Sequence, residues 1–263
     1  MLGLGIGSFV EAADFASRAA APFTNTKSLD GDISSSNSIN TQYDPQTLLR
    51  SSHSWSMWLK PDDGRPSVIP VVFGQSNVND TTEQYYLMIL GTGAFRLIHY
   101  SGNGSVGAIS FVDTAVVFSD GAQSDFTHIA IVADYSSTNV GWAFYANGSV
   151  VSHSFLGSFE VTVSSASGYL STGNTLGIDG RQNNPVSTAA TGGFDGLIDE
   201  FAAFTKALSS SEVTAIYNSG TPTDLTGHDG LELYYRFEDN LTDTAGTSDA
   251  VAVGSATFSS TTP

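Results

Sequence analysis

From about Lys27 the chain alternates apolar and polar residues with a period of two, the pattern of half-buried strands. In HSWSMWLKP (53–61), Trp55, Met57 and Leu59 alternate with Ser54, Ser56 and Trp58, and Pro61 ends the run. YYLMILGTGAFRLIHY (85–100) holds two apolar runs around Gly91 and Gly93, a hairpin pattern. In FTHIAIVADY (126–135) both faces are apolar, which predicts a central strand covered on both sides. VGWAFYANGSVVSHSF (140–155) places Asn147–Gly148 between alternating runs. Both central positions of a type I′ turn need positive φ, so Asn-Gly predicts a two-residue hairpin there.

The stretch GFDGLIDEFAAFTKALSSSEVTAIYNSG (193–220) begins as a strand and changes period. Ser209 is a natural N-cap and Glu212 completes a capping box. Val213, Ile216 and Tyr217 share one helix face, Gly220 supplies a left-handed stop, and Pro222 prevents resumption. One short helix is thus predicted near 209–219. LELYYRFED (231–239) returns to alternation, giving a strand over 231–238. Many short strands joined by Gly, Asn and Ser turns predict an all-β sandwich or jelly roll of antiparallel sheets. Three segments follow: an N-terminal arm over 1–26, the jelly roll over 27–221, and a C-terminal extension over 222–263.

Composition narrows the function. Twenty-six acids against nine bases give a net charge of −17, which excludes a phosphate-backbone partner and disfavours anionic membranes. No nucleic acid and no membrane are therefore expected as partners. There is no cysteine, so neither disulfides nor thiolate metal sites occur. The N-terminal MLGLGIGSFVEAADFASRAAAPF lacks the positive flank of a secretory signal and carries Glu11 and Asp14 beside its apolar stretch. It reads as a retained arm, either a frayed terminus or an assembly arm that orders on a neighbouring subunit.

Five motifs, in order, resemble the laminin-G-like, concanavalin A-like lectin/glucanase domains: KSLDGD (27–32), HSWSMWLKP (53–61), FTHIAIV (126–132), WAFYANG (142–148) and FDGLIDEFAAFTKALSSSEVTAIY (194–217). The resemblance implies a jelly roll of two packed, curved sheets. It departs from the family at KSLDGD, which lacks the usual preceding aromatic, and at Phe126, where the family has Trp. GLELYYRFEDNLTDTAG (230–246) looks like the opening of a second such domain, with only 17 residues after it. With the arm, that combination resembles structural proteins of tailed-phage virions. The expectation is a non-enzymatic virion component, a capsid decoration or tail part. Its partners would be other virion subunits and itself as a homo-oligomer, with glycan adhesion at cell surfaces. The alternative is a secreted carbohydrate-binding module or adhesin with an extracellular location.

The adjacent acids Asp199 and Glu200 are the first candidates for chemistry. Retaining glycosidases hold two carboxyl groups roughly 5 Å apart across the scissile bond. Consecutive strand residues point to opposite faces, so this pair is expected to be split unless a bulge intervenes. Glu200 is then an outward charge that could pair with Arg181 or Arg236, and no enzyme is expected. By the resemblance, a structural calcium would sit between the opening turn and the closing strand, held by Asp30 or Asp32 together with Asp199. Alternatively, Asp199 anchors a loop through backbone N–H groups. Glycan contacts are expected from Tyr85, Tyr100, Trp142 and Asn183, the last in the polar loop 179–193.

Overall fold

The computed structural model describes residues 23–32, 37–77, 80–102, 107–156, 162–166, 175–184 and 193–263. Of the anticipated arm, Phe23–Thr26 are described and residues 1–22 lie outside the described residues. In chain order the strands are β1 (Ser28–Gly31), β2 (Ser38–Asn40), β3 (His53–Pro61), β4 (Val71–Asn77), β5 (Asp80–Ile89), β6 (Ala94–Gly102), β7 (Gly107–Val116), β8 (Thr127–Asp134), β9 (Gly141–Ala146), β10 (Ser149–Val151), β11 (His153–Phe155), β12 (Gly177–Ile178), β13 (Arg181–Asn184), β14 (Gly196–Phe204), β15 (Leu231–Tyr235), β16 (Val251–Val253) and β17 (Thr257–Ser259). Two single helical turns, α1 (Gln46–Leu49) and α2 (Val163–Ala166), accompany the anticipated helix α3 (Ser210–Tyr217).

The strands form two sheets. One runs β10-β9-β8-β3-β14-β1-β17, with β15 also on β14. The other runs β11-β7-β6-β5-β4-β12-β2-β16, with β13 also on β4. The inner faces bury Trp55, Phe73, Tyr85, Phe95, Phe118, Phe194 and Phe201 in one core. At about 1.5–3 kcal/mol per large apolar side chain, this layer is the main stabilising term. A second cluster lies outside the first sheet, where α3 lays Val213 and Ile216 on Ala130, Val132, Ala202 and Phe204. Asn147 (φ 49°) and Gly148 (φ 72°) make the expected left-handed turn between β9 and β10.

Three features depart from the sequence expectation. First, one pairing is parallel: β13 runs beside β4 in the same direction. Asp179 (φ 58°) and Gly180 (φ 119°) turn the chain back after β12, which is antiparallel to the same strand. Second, residues 222–263 are not a separate extension. β15 pairs with β14, β16 with β2 and β17 with β1, so the segment resembling a second domain's opening completes this sandwich. Its strand ends at Tyr235 rather than 238, because Phe237 takes positive φ and turns into the core.

Third, β14 is bulged. Its pairing with β3 slips between Asp199 and Ala202, and Glu200 takes a left-handed conformation with φ 48°. The bulge marks a seam. On the edge of β14 away from β3, β1 covers Gly196–Ile198 and β15 covers Phe201–Phe204. Asp199 and Glu200 occupy the junction between these two partners. The extra residue also shifts the phase, so Ile198 and Phe201, three apart, both face the core.

Candidate functional site

The junction is a buried polar seam. Asp199 is 0 % exposed and Glu200 2 %, so the expectation that strand geometry leaves Glu200 as an outward charge is corrected: the bulge turns both acids into the protein. Asp199 accepts from Asn25 Nδ2 at 3.0 Å and from the Glu200 backbone N–H at 2.9 Å. Glu200 accepts from the Tyr234 hydroxyl and lies 3.7 Å from Arg236 Nε, one of the two anticipated ion-pair partners. Arg236 also donates to the Thr24 carbonyl and covers the Phe23 ring at 4.4 Å. Glu238 accepts from the Thr26 N–H at 2.8 Å. The described residues 23–26 and the segment 234–238 thus meet around this acid pair.

Burial raises the Asp199 carboxyl to about 9, and the Glu200 charge adds to the effect. Burial raises Glu200 to about 7, opposed by the Tyr234 hydrogen bond and the Arg236 charge. Enclosed on protein partners, the two acids present no carboxylate to a substrate, and their role is structural.

The acids anticipated as calcium ligands fall in two places. Asp30 and Asp32 gather with Asp62, Asp179 and Asp195 near the end of β1, where mutual repulsion helps to raise Asp30 and Asp179. Asp199 belongs to the seam instead, with Asn25 and Glu200. Among the described residues no group of three or more His, Cys, Asp or Glu side chains could hold a metal ion. Asp179 is itself committed: its Oδ1 accepts the Phe194 N–H at 2.7 Å.

The anticipated glycan residues fare differently. Tyr85 is 0 % exposed, its hydroxyl accepting from Trp55 Nε1 at 2.9 Å and lying 3.2 Å from His53 Nε2. Trp142 packs edge-on against His53 and His99. Both face the interior, because they lie on the core phase of their strands, so neither is an exposed platform. The side chains of Tyr100 and Asn183 lie outside the described residues, although their backbones belong to β6 and β13.

A different set of residues forms a groove on the outer face of the first sheet. It encloses about 350 Å³ between Trp58, Lys60, Asp125, Phe126, Asn147 and Tyr217, with the tail 261–263 as a wall. One cross-strand row builds its floor: Trp58 pairs with Asp199 on one side and His128 on the other. Tyr217 comes from the last turn of α3. Trp58 and His128 are 5.1 Å apart, and each lies 5.9 Å from Tyr217 at 30°.

Local rules fix each part. The Ser209–Glu212 capping box starts α3 and left-handed Asn218 (φ 44°) stops it, which places Tyr217 over the Asn147–Gly148 turn. A Cβ on Gly148 would lie 2.8 Å from Tyr217 Cδ1, so glycine is needed for contact as well as for φ. Asn147 Oδ1 accepts the His128 N–H at 2.9 Å, tying the turn to β8. Burial lowers His128 to about 3, so it serves as a neutral ring in the floor.

Two packed sheets carrying a solvent-open groove define a lectin-like β-sandwich. Residues 34–214 match the family Laminin_G_3, described as the Concanavalin A-like lectin/glucanases superfamily, and the chain belongs to that family. Among solved structures it is similar to a Bacteroides ovatus protein thought to bind carbohydrate, at 16 % identity and TM-score 0.57. That likeness covers 90 % of this chain and 60 % of the other, so the chain spans less than two thirds of that relative. It is also similar to a heptameric SAP-like pentraxin from Limulus polyphemus: 15 % identity, TM-score 0.51, 88 % of this chain and 93 % of the other. At these identities both likenesses speak for the fold. No curated protein sequence matches the chain.

Proposed function

We propose that this protein recognises carbohydrate and does not cleave it. The observation that carries the reading is the groove: Phe126 and Tyr217 supply ring surface above the buried Trp58 ring, and Asn147, Asp125 and Lys60 stand around them with polar groups. Apolar surface with a few placed polar groups is the usual make-up of a small-ligand site. The lectin-like fold and the carbohydrate assignment of the Bacteroides relative support it. Calorimetry against a saccharide panel tests it. Saturable binding, weakened at least tenfold by Tyr217→Ala, is expected; a panel with no binder would overturn the proposal.

The virion setting belongs to the same proposal as its finer part. Residues 230–259 no longer support it as the start of a second domain, since they complete this one. The segment before Phe23 carries it. If that segment is an assembly arm, the full chain forms a homo-oligomer by light scattering and deletion of residues 1–22 returns a monomer. A monomeric full chain removes the assembly role and leaves the carbohydrate reading intact. The secreted module or adhesin is then the better setting.

A further inference from the structure

We infer that the groove selects acidic saccharides, with Lys60 receiving the sugar carboxylate while the ring lies against Tyr217; this rests on the carbohydrate reading above. Lys60 is the cation of the groove lining. It stands two residues beyond Trp58 on the same outer face of β3, about 7 Å along the strand. That spacing places a cation beside the aromatic part of the groove, on the side where a pyranose on Tyr217 would project a carboxylate.

Lys60 is also uncommitted. Lys27, Arg96, Lys206 and Arg236 each form an ion pair, whereas Lys60 forms none among the described residues. Its cross-strand partner in β14 is Leu197, which offers no charge. In a chain with 26 acids and nine bases, a cation left free of every described carboxylate is available to a ligand. The surrounding charge of −17 repels anions at a distance. An acidic sugar therefore needs a local cation, and Lys60 supplies one through charge-assisted hydrogen bonds.

The opposite wall fits the rest of such a ligand. Thr261 and Thr262 bring hydroxyls, and Asn147 brings an amide whose Oδ1 is tied to His128. Asp125 accepts from Ser124 Oγ at 2.7 Å and retains acceptor capacity for sugar hydroxyls. The groove is polarised, with a cation reading the carboxylate and neutral or acceptor groups reading the hydroxyls.

The test is calorimetric titration with methyl glucuronide, N-acetylneuraminic acid and methyl glucoside, on the wild type, Lys60→Gln, Lys60→Arg and Tyr217→Ala. At least one acidic sugar should bind tenfold or more tighter than the glucoside. Lys60→Gln should remove that preference, bringing the acidic sugar to within about twofold of the glucoside, while Lys60→Arg retains it. Tyr217→Ala should weaken every sugar. Which acid binds identifies the source of the carboxylate, a uronic or a nonulosonic acid. Equal binding of glucoside and both acids, or a preference unaffected by Lys60→Gln, overturns the inference and leaves carbohydrate recognition standing. Absence of binding by all three sugars overturns this inference, and the wider saccharide panel then decides carbohydrate recognition by itself.

Discussion

Replacing Glu200 by glutamine removes one of the two raised carboxyls of the seam, and with it the charge that helps to raise Asp199. In the folded protein Glu200 holds its proton up to about 7, against an ordinary value of 4.5. A raised carboxyl binds more protons folded than unfolded, so it stabilises at low pH and that stability is lost as pH rises through the folded value. The whole effect is about 3 kcal/mol, most of it present at pH 5 and essentially none at pH 8.5. Three buried histidines work in the other direction. His53, His99 and His128 are lowered to about 4, 3 and 3 by burial, so they cost stability as pH falls below 6.5. The wild-type pH profile is therefore a sum of opposing slopes, and the comparison between variants is the informative quantity. Urea unfolding at pH 5 and pH 8.5 measures it, the histidine contribution cancelling. Glu200→Gln should gain about 2–3 kcal/mol or more on the wild type between the two conditions, since Asp199 is also relieved of the Glu200 charge. Parallel pH profiles for the two proteins would refute the account, and would place the Glu200 carboxyl in contact with solvent.

Other expectations are simpler. Ser209→Ala removes the cap of α3 and should cost about 1 kcal/mol by urea unfolding. Gly148→Ala meets both a positive φ and the Tyr217 ring; it should cost about 1–2 kcal/mol and weaken sugar binding, since Tyr217 must move. Deleting residues 230–263 takes Leu233, Tyr235 and Phe237 from the core at about 2 kcal/mol or more each. Against a typical total of about 5–15 kcal/mol, the truncated chain should not yield a cooperatively unfolding, soluble protein.

The parts legible in the sequence are those set by neighbours along the chain. The α3 cap, the Asn147–Gly148 turn and the alternation of β3 each depend on a few consecutive residues, and each is found where expected. The bulge is different. No glycine or asparagine marks it, and a glutamate at positive φ is tolerated because Tyr234 and Arg236 hold its side chain from 34 and 36 residues away. A period-two reading therefore splits a pair that the fold keeps together. Two of the anticipated glycan residues are misplaced for a related reason: Tyr85 and Trp142 sit on the core phase of their strands, where an aromatic is packing. Trp58 is the signal that was available, an aromatic among the serines of the polar phase of β3. Its companions Asp125, Asn147 and Tyr217 join it through long-range pairing that spacing does not reveal.

The placement of the last strands has a consequence for synthesis. Leu29, near the start of the described chain, pairs with both Ile198 and Phe258. A chain emerging from the ribosome in order can assemble the β5–β6–β7 meander and the β8–β9 hairpin early, because their partners are adjacent. β1 must wait unpaired until β14 has been made, and its other edge stays open until β17 follows. High contact order of this kind slows folding and lengthens the exposure of apolar strand edges. The late steps of folding in this protein are the ones a chaperone would have to guard.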